Sequence, residues 1–555
     1  MVIGTLPLVF ESDFLWKLQE MNLFMGSWMF FEEQMVMPGG FLTWISTWFT
    51  QLFFHPWLGV LVLCGWWLLL MWLVQRAFCL SRPWMALIIL PVLFLLVTIV
   101  DMGYWLYILK LRGHVFVATI GTTVGVALLW AFRSICSLPI VHSSWSTWLR
   151  SAFVVSACAV GYPLLGIYGL AATAVMALWI WRLESRRQSS FVVSLTGILS
   201  VLVLPLLFYH FVYEQTSLAD LYVVKLPLYV VTEKYTIYYL PYLLLLLFFM
   251  VLSTITPWRQ KEKARKPATT LPVSEGAVVV ILLLAALYTY SYWYKDENFH
   301  HELAMQRYID RQDWEAVLKE AAKQENEPTR AIVMMRNLAL ARLGRQGDEM
   351  YRYKNGCQRC DAPFDIRAIN SVGPLIYYHY GIPSFSYRLC MERGVEFGWR
   401  AEQLKFMVRC SIVNGELKIA RKYLALLKQT MYHGAWADRM YALTEHPERI
   451  AQSSEMEFIR HMMHYDNELT NDHNLVENFL MKRLMFSNYV GDPVFLEQAL
   501  YASMAAKNPD LFWPHLYNYS NFYPDRPWPV HVQEAVYLLR FLSCELSFTE
   551  LIFPS

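Results

Sequence analysis

The sequence predicts an all-α protein in which a polytopic helical membrane domain of about eight spans precedes an extracytoplasmic, tetratricopeptide-like helical domain. Three observations carry this. Of 555 residues, 56% are hydrophobic and only 17% charged, against about 25% charged in ordinary soluble domains. Nearly all uninterrupted apolar runs fall between residues 56 and 294. Residues 295–555 read instead as charged, Tyr-rich sequence with apolar residues three and four apart, the spacing of helices with one buried face. Three segments result: an extracytoplasmic N-terminal segment (1–55), a transmembrane domain (56–294) and a periplasmic helical-repeat-like domain (295–555).

The first twenty residues contain Glu11, Asp13, Lys17 and Glu20, with neither a basic n-region nor a clean apolar core, so they do not read as a cleavable signal peptide. Residues 39–59 carry aromatic side chains throughout and are expected to lie in the outer membrane interface. A span needs roughly 20 mostly apolar residues. Eight segments meet or approach that: 56–75, 83–101, 114–133, 150–167, 168–182, 190–212, 235–256 and 275–294. The fourth and fifth share a stretch with no charge between Arg150 and Arg182. Gly161, Pro163 and Gly166 within it predict a tight hairpin.

Loop charge sets the orientation, because Lys and Arg stay preferentially on the cytoplasmic side. Arg76, Arg82, Arg133, Arg150, Arg182, Arg186, Arg187, Arg259, Lys261, Lys263, Arg265 and Lys266 occupy alternate loops, whereas the intervening loops hold only Lys110, Arg112, Lys225 and Lys234. The twelve belong inside, which places residues 1–55 and 295–555 outside. A net charge of +2, spread through short loops and lining no single surface, argues against a nucleic-acid partner.

Beyond residue 294, RQDWEAVLKEAAKQENEPTRAIVMMRNLALARLG places Trp314, Ala316 and Val317 on one helix with Pro328 before the next, and NGELKIARKYLALLK around Gly415 and Ala420 echoes it. These resemble degenerate tetratricopeptide helix pairs; an ordinary helical bundle is the alternative. The late WPHLYNYSNFYPDRPWPVHVQEAVYLL is expected to cap the array. Nine cysteines cannot all pair. Cys357 and Cys360 form a C-x-x-C in a turn-like segment, read first as a structural disulfide, with metal and redox roles as alternatives.

An ionisable group deep in a span would signal function, and none lies near the middle of one. Asp101, His114 and His210 fall at span ends, all outer under this topology, near Lys110, Arg112, Glu32 and Glu33. Such a distribution disfavours an ion pump or proton-coupled transporter, which places carboxylates at the midplane. It suits a site at the outer surface. Glu32 and Glu33 are the candidate catalytic residues, able to act as general base or to hold a divalent cation, the one candidate cofactor. Asp101, Lys110, Arg112, His114 and His210 are the candidate substrate-binding residues, the two cations suiting a lipid phosphate. Span-end charges are also ordinary interface anchors, and adjacent loop glutamates are ordinarily just solvated.

The segments LQEMNLFMGSWMFFEEQMVMPGGFLTWISTWFTQLFFHPWLGVLVLCGWWLLLMWL, DMGYWLYILKLRGHVFVATIG and FWPHLYNYSNFYPDRPWPVHVQEAVYLL resemble an uncharacterised bacterial family of multi-span envelope proteins known only as a domain of unknown function. The resemblance covers nearly the whole chain. It implies a Gram-negative inner-membrane protein with a periplasmic helical domain and carries no established activity. It also implies a further span before the Glu-rich loop, so that this chain starts at or after the end of that span. More remotely, the layout is similar to GT-C membrane glycosyltransferases, which use polyprenyl-phosphate sugars and place acidic catalytic residues in the first extracytoplasmic loop. Glu32 and Glu33 match that position, although no Asp-x-Asp occurs there, and the likeness is an analogy of layout. The expected partners are the lipid bilayer, a lipid-linked saccharide and, through the C-terminal domain, a protein. The rival expectation is a non-enzymatic scaffold whose spans anchor a helical binding surface.

Overall fold

The structure is a computed structural model and describes residues 11–80, 82–137, 144–183, 187–227, 238–255, 275–356, 366–464, 484–487 and 489–552. The C-x-x-C pair Cys357/Cys360 lies outside them, as do Arg186, Lys234 and the basic loop from Arg259 to Lys266. Every regular element among the described residues is helical. The chain divides into two compact units, Met1–Lys295 with Gln429–Tyr432, and Asp296–Lys428 with His433–Ser555.

The first unit begins with α1 (Ser12–Glu20), α2 (Trp28–Met35) and α3 (Gly40–Thr50). Apolar helices follow: α4 (Pro56–Phe78), α5 (Leu90–Val100), α6 (His114–Cys136), α7 (Ser144–Leu165), α8 (Ile167–Leu183), α9 (Arg187–Phe211), α10 (Leu240–Ile255) and α11 (Glu275–Tyr292). Five of them, α4, α6, α7, α9 and α11, are long and apolar enough to cross a membrane, and they point to a membrane protein. The others are shorter within the described residues: α5, with the 3-10 turn that leads into it, covers Ala86–Val100, while 17 residues of α8 and 16 of α10 are described.

Local chemistry sets the ends of these helices. Pro56 sits in the first turn of α4, where its missing N–H costs nothing, and Arg76 lies in the last turn, where a cation favours the dipole. Gly113 opens α6 with a left-handed φ of +66°. The predicted hairpin breaks at Gly166, whose φ is +62°; its N–H bonds to Tyr162 O at 2.9 Å, closing α7. Across the hairpin, a Cβ on Gly169 would stand 2.4 Å from the Gly161 carbonyl carbon. The two backbones therefore touch, the close approach that small residues permit between membrane helices. α6 is the most enclosed long helix, with 72% of its apolar window buried, and α11 the least, at 17%. Residues such as Leu283, Leu284 and Leu287 on α11 are exposed, a surface suited to lipid and unfavourable in water.

The second unit is built from α12 (Glu297–Asp310), α13 (Trp314–Ala322), α14 (Arg330–Arg342), α15 (Ile366–His379), α16 (Pro383–Phe397), α17 (Ala401–Val413), α18 (Leu417–Leu427), α19 (Gly434–Glu445), α20 (Pro493–Ala505), α21 (Pro509–Phe522) and α22 (Val530–Ile552). From α12 to α19 each helix packs against the next, as does α20 against α21, and α12 also packs on α14, α15 on α17 and α17 on α19. Caps fix the starts: Asp313 accepts from Ala316 N, Thr329 from Ile332 N and Asn508 from Leu511 N. Turns with one geometry fix several ends. At Gln312, Gly344, Gly381 and Gly415 the backbone is left-handed, and the next residue's N–H reaches five residues back, as in Asp313→Tyr308, Arg345→Leu340, Ile382→Tyr377 and Glu416→Ser411. These turns are spaced by 32, 37 and 34 residues, and Lys507 with Asn508→Ser503 forms a fifth. The C-terminal segment, expected as a cap, packs on the short helix Gln346–Glu349, with Val530 N donating to Asp348 Oδ1 at 2.8 Å.

Candidate functional site

The polar residues of the N-terminal segment are tucked into the first unit. On α1, Lys17, Gln19 and Glu20 are as buried as their apolar neighbours Phe14, Leu15 and Leu18. Gln19 Nε2 donates to Gln51 Oε1 at 3.3 Å, and Lys17 Nζ lies 5.5 Å from the Tyr107 ring centroid. Asn22 Oδ1 accepts from the Gly113 N–H at 2.8 Å, holding the turn that launches α6. α3 packs on α6 and α7 with Thr43, Ser46, Thr47 and Thr50 turned inward. The three threonine hydroxyls are absorbed by the helix itself, Thr43 Oγ1 bonding to Gly39 O, Thr47 Oγ1 to Thr43 O and Thr50 Oγ1 to Ser46 O, whereas Ser46 Oγ is buried with no partner among the described residues. The aromatic stretch 39–59 is thus half packed into the unit.

α2, the loop before α6 and the loop after α9 converge near the start of α3. α2 is capped by Ser27 Oγ, which accepts from Phe30 N. It presents Glu32 and Glu33 on an exposed face. Glu32 accepts a 2.5 Å hydrogen bond from Trp28 Nε1. Glu33 Oε1 lies 3.5 Å from Arg112 Nη2, so Glu33 and Arg112 are brought together from 79 residues apart. Burial pulls the Arg112 guanidinium below its ordinary pKa, and Glu33 opposes that pull.

The second cation was visible in the sequence only as a loop charge. Lys225 is half-buried with φ +76°, and its stem passes between two left-handed glycines. A Cβ on Gly39 would sit 2.6 Å from Lys225 Cγ, and one on Gly166 would sit 2.9 Å from the same atom. No side chain other than hydrogen fits at either position. Burial, together with the neighbouring Arg112 charge, pushes the Lys225 ammonium down to about 8. Its amino group makes no hydrogen bond or ion pair among the described residues.

Asp101 and His114 meet at a separate small cavity, also lined by Thr98, Tyr238 and Tyr242. Its volume of about 10 Å³ holds roughly one water. His114 Nε2 lies 3.0 Å from Thr98 O, which makes Nε2 the protonated nitrogen. Nδ1 is buried with no partner among the described residues, so a water in the cavity is the natural donor to it. The remaining two predicted residues do not join either group. Lys110 is exposed, and His210 is exposed with its ring against Phe211, centroids 4.8 Å apart. Among the described residues no three His, Cys, Asp or Glu side chains are grouped to hold a metal ion.

Near the Lys225 loop, whose Leu226 lines it, lies a groove of about 400 Å³ between α6, α8, α9 and α10. Gly121 and Gly125 floor it on α6, Ala171 and Ala174 on α8, and Leu243 and Leu246 wall it on α10. Sequence reading missed it, because a groove between apolar helices leaves no polar mark in the sequence. The only available signal was the run of small residues Gly169, Ala171, Ala172 and Ala174.

These features define a multi-helix membrane protein with two part-buried cations, Arg112 and Lys225, near an apolar groove. The chain belongs to a family of unknown function, DUF6057, whose model matches residues 8–547. No curated protein and no solved structure matches it.

Proposed function

We propose that the protein is a multi-pass inner-membrane protein of the bacterial cell envelope that acts on a lipid-linked saccharide at the outer face of the membrane. In this reading all eight apolar helices span, the basic loops lie in the cytoplasm, and residues 1–55 and 295–555 are periplasmic. The carrying observation is the meeting of Glu33 with Arg112 beside Lys225: a carboxylate able to take a proton stands next to cations able to neutralise a phosphate. A polyprenyl-phosphate sugar is the substrate class, and glycosyl transfer of the GT-C kind is the reaction, with Glu33 the base and Glu32 its support. The left-handed turns spaced by 32, 37 and 34 residues fall around the 34-residue tetratricopeptide period, which supports a repeat domain that recruits an acceptor or partner. That same spacing favours the second reading, a membrane-anchored scaffold without enzymatic activity.

Native mass spectrometry of the purified chain with co-isolated lipid separates the two. A polyprenyl-phosphate glycolipid that persists in wild type and accumulates unreacted in Glu33→Gln supports the enzyme. Bulk phospholipid alone in every sample, with a stoichiometric protein partner, supports the scaffold.

A further inference from the structure

We propose that Lys225 and Arg112 hold the phosphate of an anionic membrane lipid whose hydrocarbon tail lies in the groove between α6, α8, α9 and α10. This rests on reading the pocket as a lipid-handling site and names how that lipid is held. The groove, at about 400 Å³, falls within the roughly 300–1,000 Å³ of ligand pockets. Its walls are almost wholly apolar, and small residues on α6 and α8 make the room. A peptide would leave backbone N–H and C=O groups unpaired against such walls, whereas a hydrocarbon tail loses nothing there. One end of the groove reaches the loop that carries Lys225. Ile167 and Leu226 line it and directly follow Gly166 and Lys225 in sequence; the Ile167 N–H donates to Val224 O at 3.1 Å, fastening the two loops together.

At that end the charge is set for an anion. Lys225 has no partner among the described residues, and its position is fixed by two glycines that admit nothing larger. Among the described residues Arg112 has only the 3.5 Å contact with Glu33, whose side chain is 53% exposed and is displaced at little cost. Tail and head chemistry are thus adjacent, which is the combination a phosphate-bearing lipid presents and a free anion does not.

The test uses the full chain in detergent, titrated with dioleoylphosphatidic acid, dioleoylglycerol or inorganic phosphate, with bound species counted by native mass spectrometry. Phosphatidic acid is expected to bind about tenfold or more tighter than dioleoylglycerol, as befits a charge-assisted contact. Lys225→Gln and Arg112→Gln each remove about that factor for phosphatidic acid only. Ala174→Phe, which fills the groove, weakens both lipids alike. The proposal is overturned if a folded Lys225→Gln binds phosphatidic acid like wild type, if Ala174→Phe changes nothing, or if inorganic phosphate displaces the lipid at equal concentration. Should phosphatidic acid behave as expected while no lipid-linked saccharide ever co-purifies, the lipid site stands and the glycosyl-transfer reading falls.

Discussion

Arg409, in the second unit, offers the sharpest energetic test of how this chain is held together. It projects from α17 one turn after Lys405, and both reach the end of α12: Lys405 Nζ lies 2.9 Å from Asp310 Oδ2, and Arg409 Nη2 lies 3.2 Å from Asp310 Oδ1. Arg409 Nε also meets Glu455 Oε1 at 2.6 Å, with its side chain 7% exposed. Arg409→Met keeps the stem but removes the guanidinium, which lies over the Phe406 and Trp436 rings, and leaves Glu455 without its cation. Losing one partner of a buried pair costs about 3–5 kcal/mol. Arg409→Met/Glu455→Met together should return at least half of that, because no charge is then stranded.

The assay is hydrogen exchange of the full chain, read on peptides from α17. Acid provides a second reading. Burial alone would raise the Asp310 carboxyl, but the charges of Lys405 and Arg409 and their hydrogen bonds outweigh it and hold it well below the usual carboxylate range. A folded-state pKa below the unfolded value of about 4 gives stability that is complete above pH 4 and lost as pH falls toward the folded value. In Arg409→Met that acid loss shrinks. A cost below about 1 kcal/mol for Arg409→Met, or an unchanged acid response, would refute the reasoning.

Three further outcomes follow from the first unit. Glu11 is 4% exposed; burial lifts its carboxyl to about 7, against the pull of the Trp293 N–H bond. Because the folded value lies above the unfolded 4.5, wild type loses stability as pH rises from about 4.5 through 7, by at most about 3 kcal/mol. Glu11→Gln should flatten that slope in thermal melts at pH 5 and 8. Gly39→Ala and Gly166→Ala, each left-handed and each within 3 Å of the Lys225 stem, should destabilise by about 1–3 kcal/mol; melts within 1 °C of wild type would contradict the packing. Finally, Lys225 is charged below about 8, with Arg112 beside it and Glu33 across from Arg112. Phosphatidic acid affinity should hold at pH 7 and fall as pH rises through 8 to 9, a fall that Lys225→Gln abolishes.

The sequence revealed the helices better than the site. α4 and α6 announce themselves by apolar length between proline, glycine and arginine, and the break at Gly166 was legible because only glycine tolerates its backbone there. The repeat was harder to see. Two of the five left-handed turns use Gln312 and Lys507 in place of glycine, so the motif that marks the period has no constant letter. Glu33 and Arg112 were readable as outer-loop charges, and the fold brings them together. Lys225 was not readable as more than loop charge, because its setting is created by Gly39, 186 residues earlier, and by Gly166. Nor was α1, where Lys17 and Glu20 look solvated in sequence and are buried by the turn at Gln51 and the loop before α6.

The exposure of α10 has a consequence for how lipid reaches the groove. Leu243 lines the groove and is also 51% exposed, and Leu247, one turn on, is exposed as well. α6, by contrast, is largely enclosed. The groove is therefore open to the surface along α10. In the lipid reading proposed above, a lipid would enter there sideways from the bilayer, past Leu243, and not from the aqueous face. Leu243→Trp would then slow the entry of lipid while leaving the contacts at Lys225 unchanged.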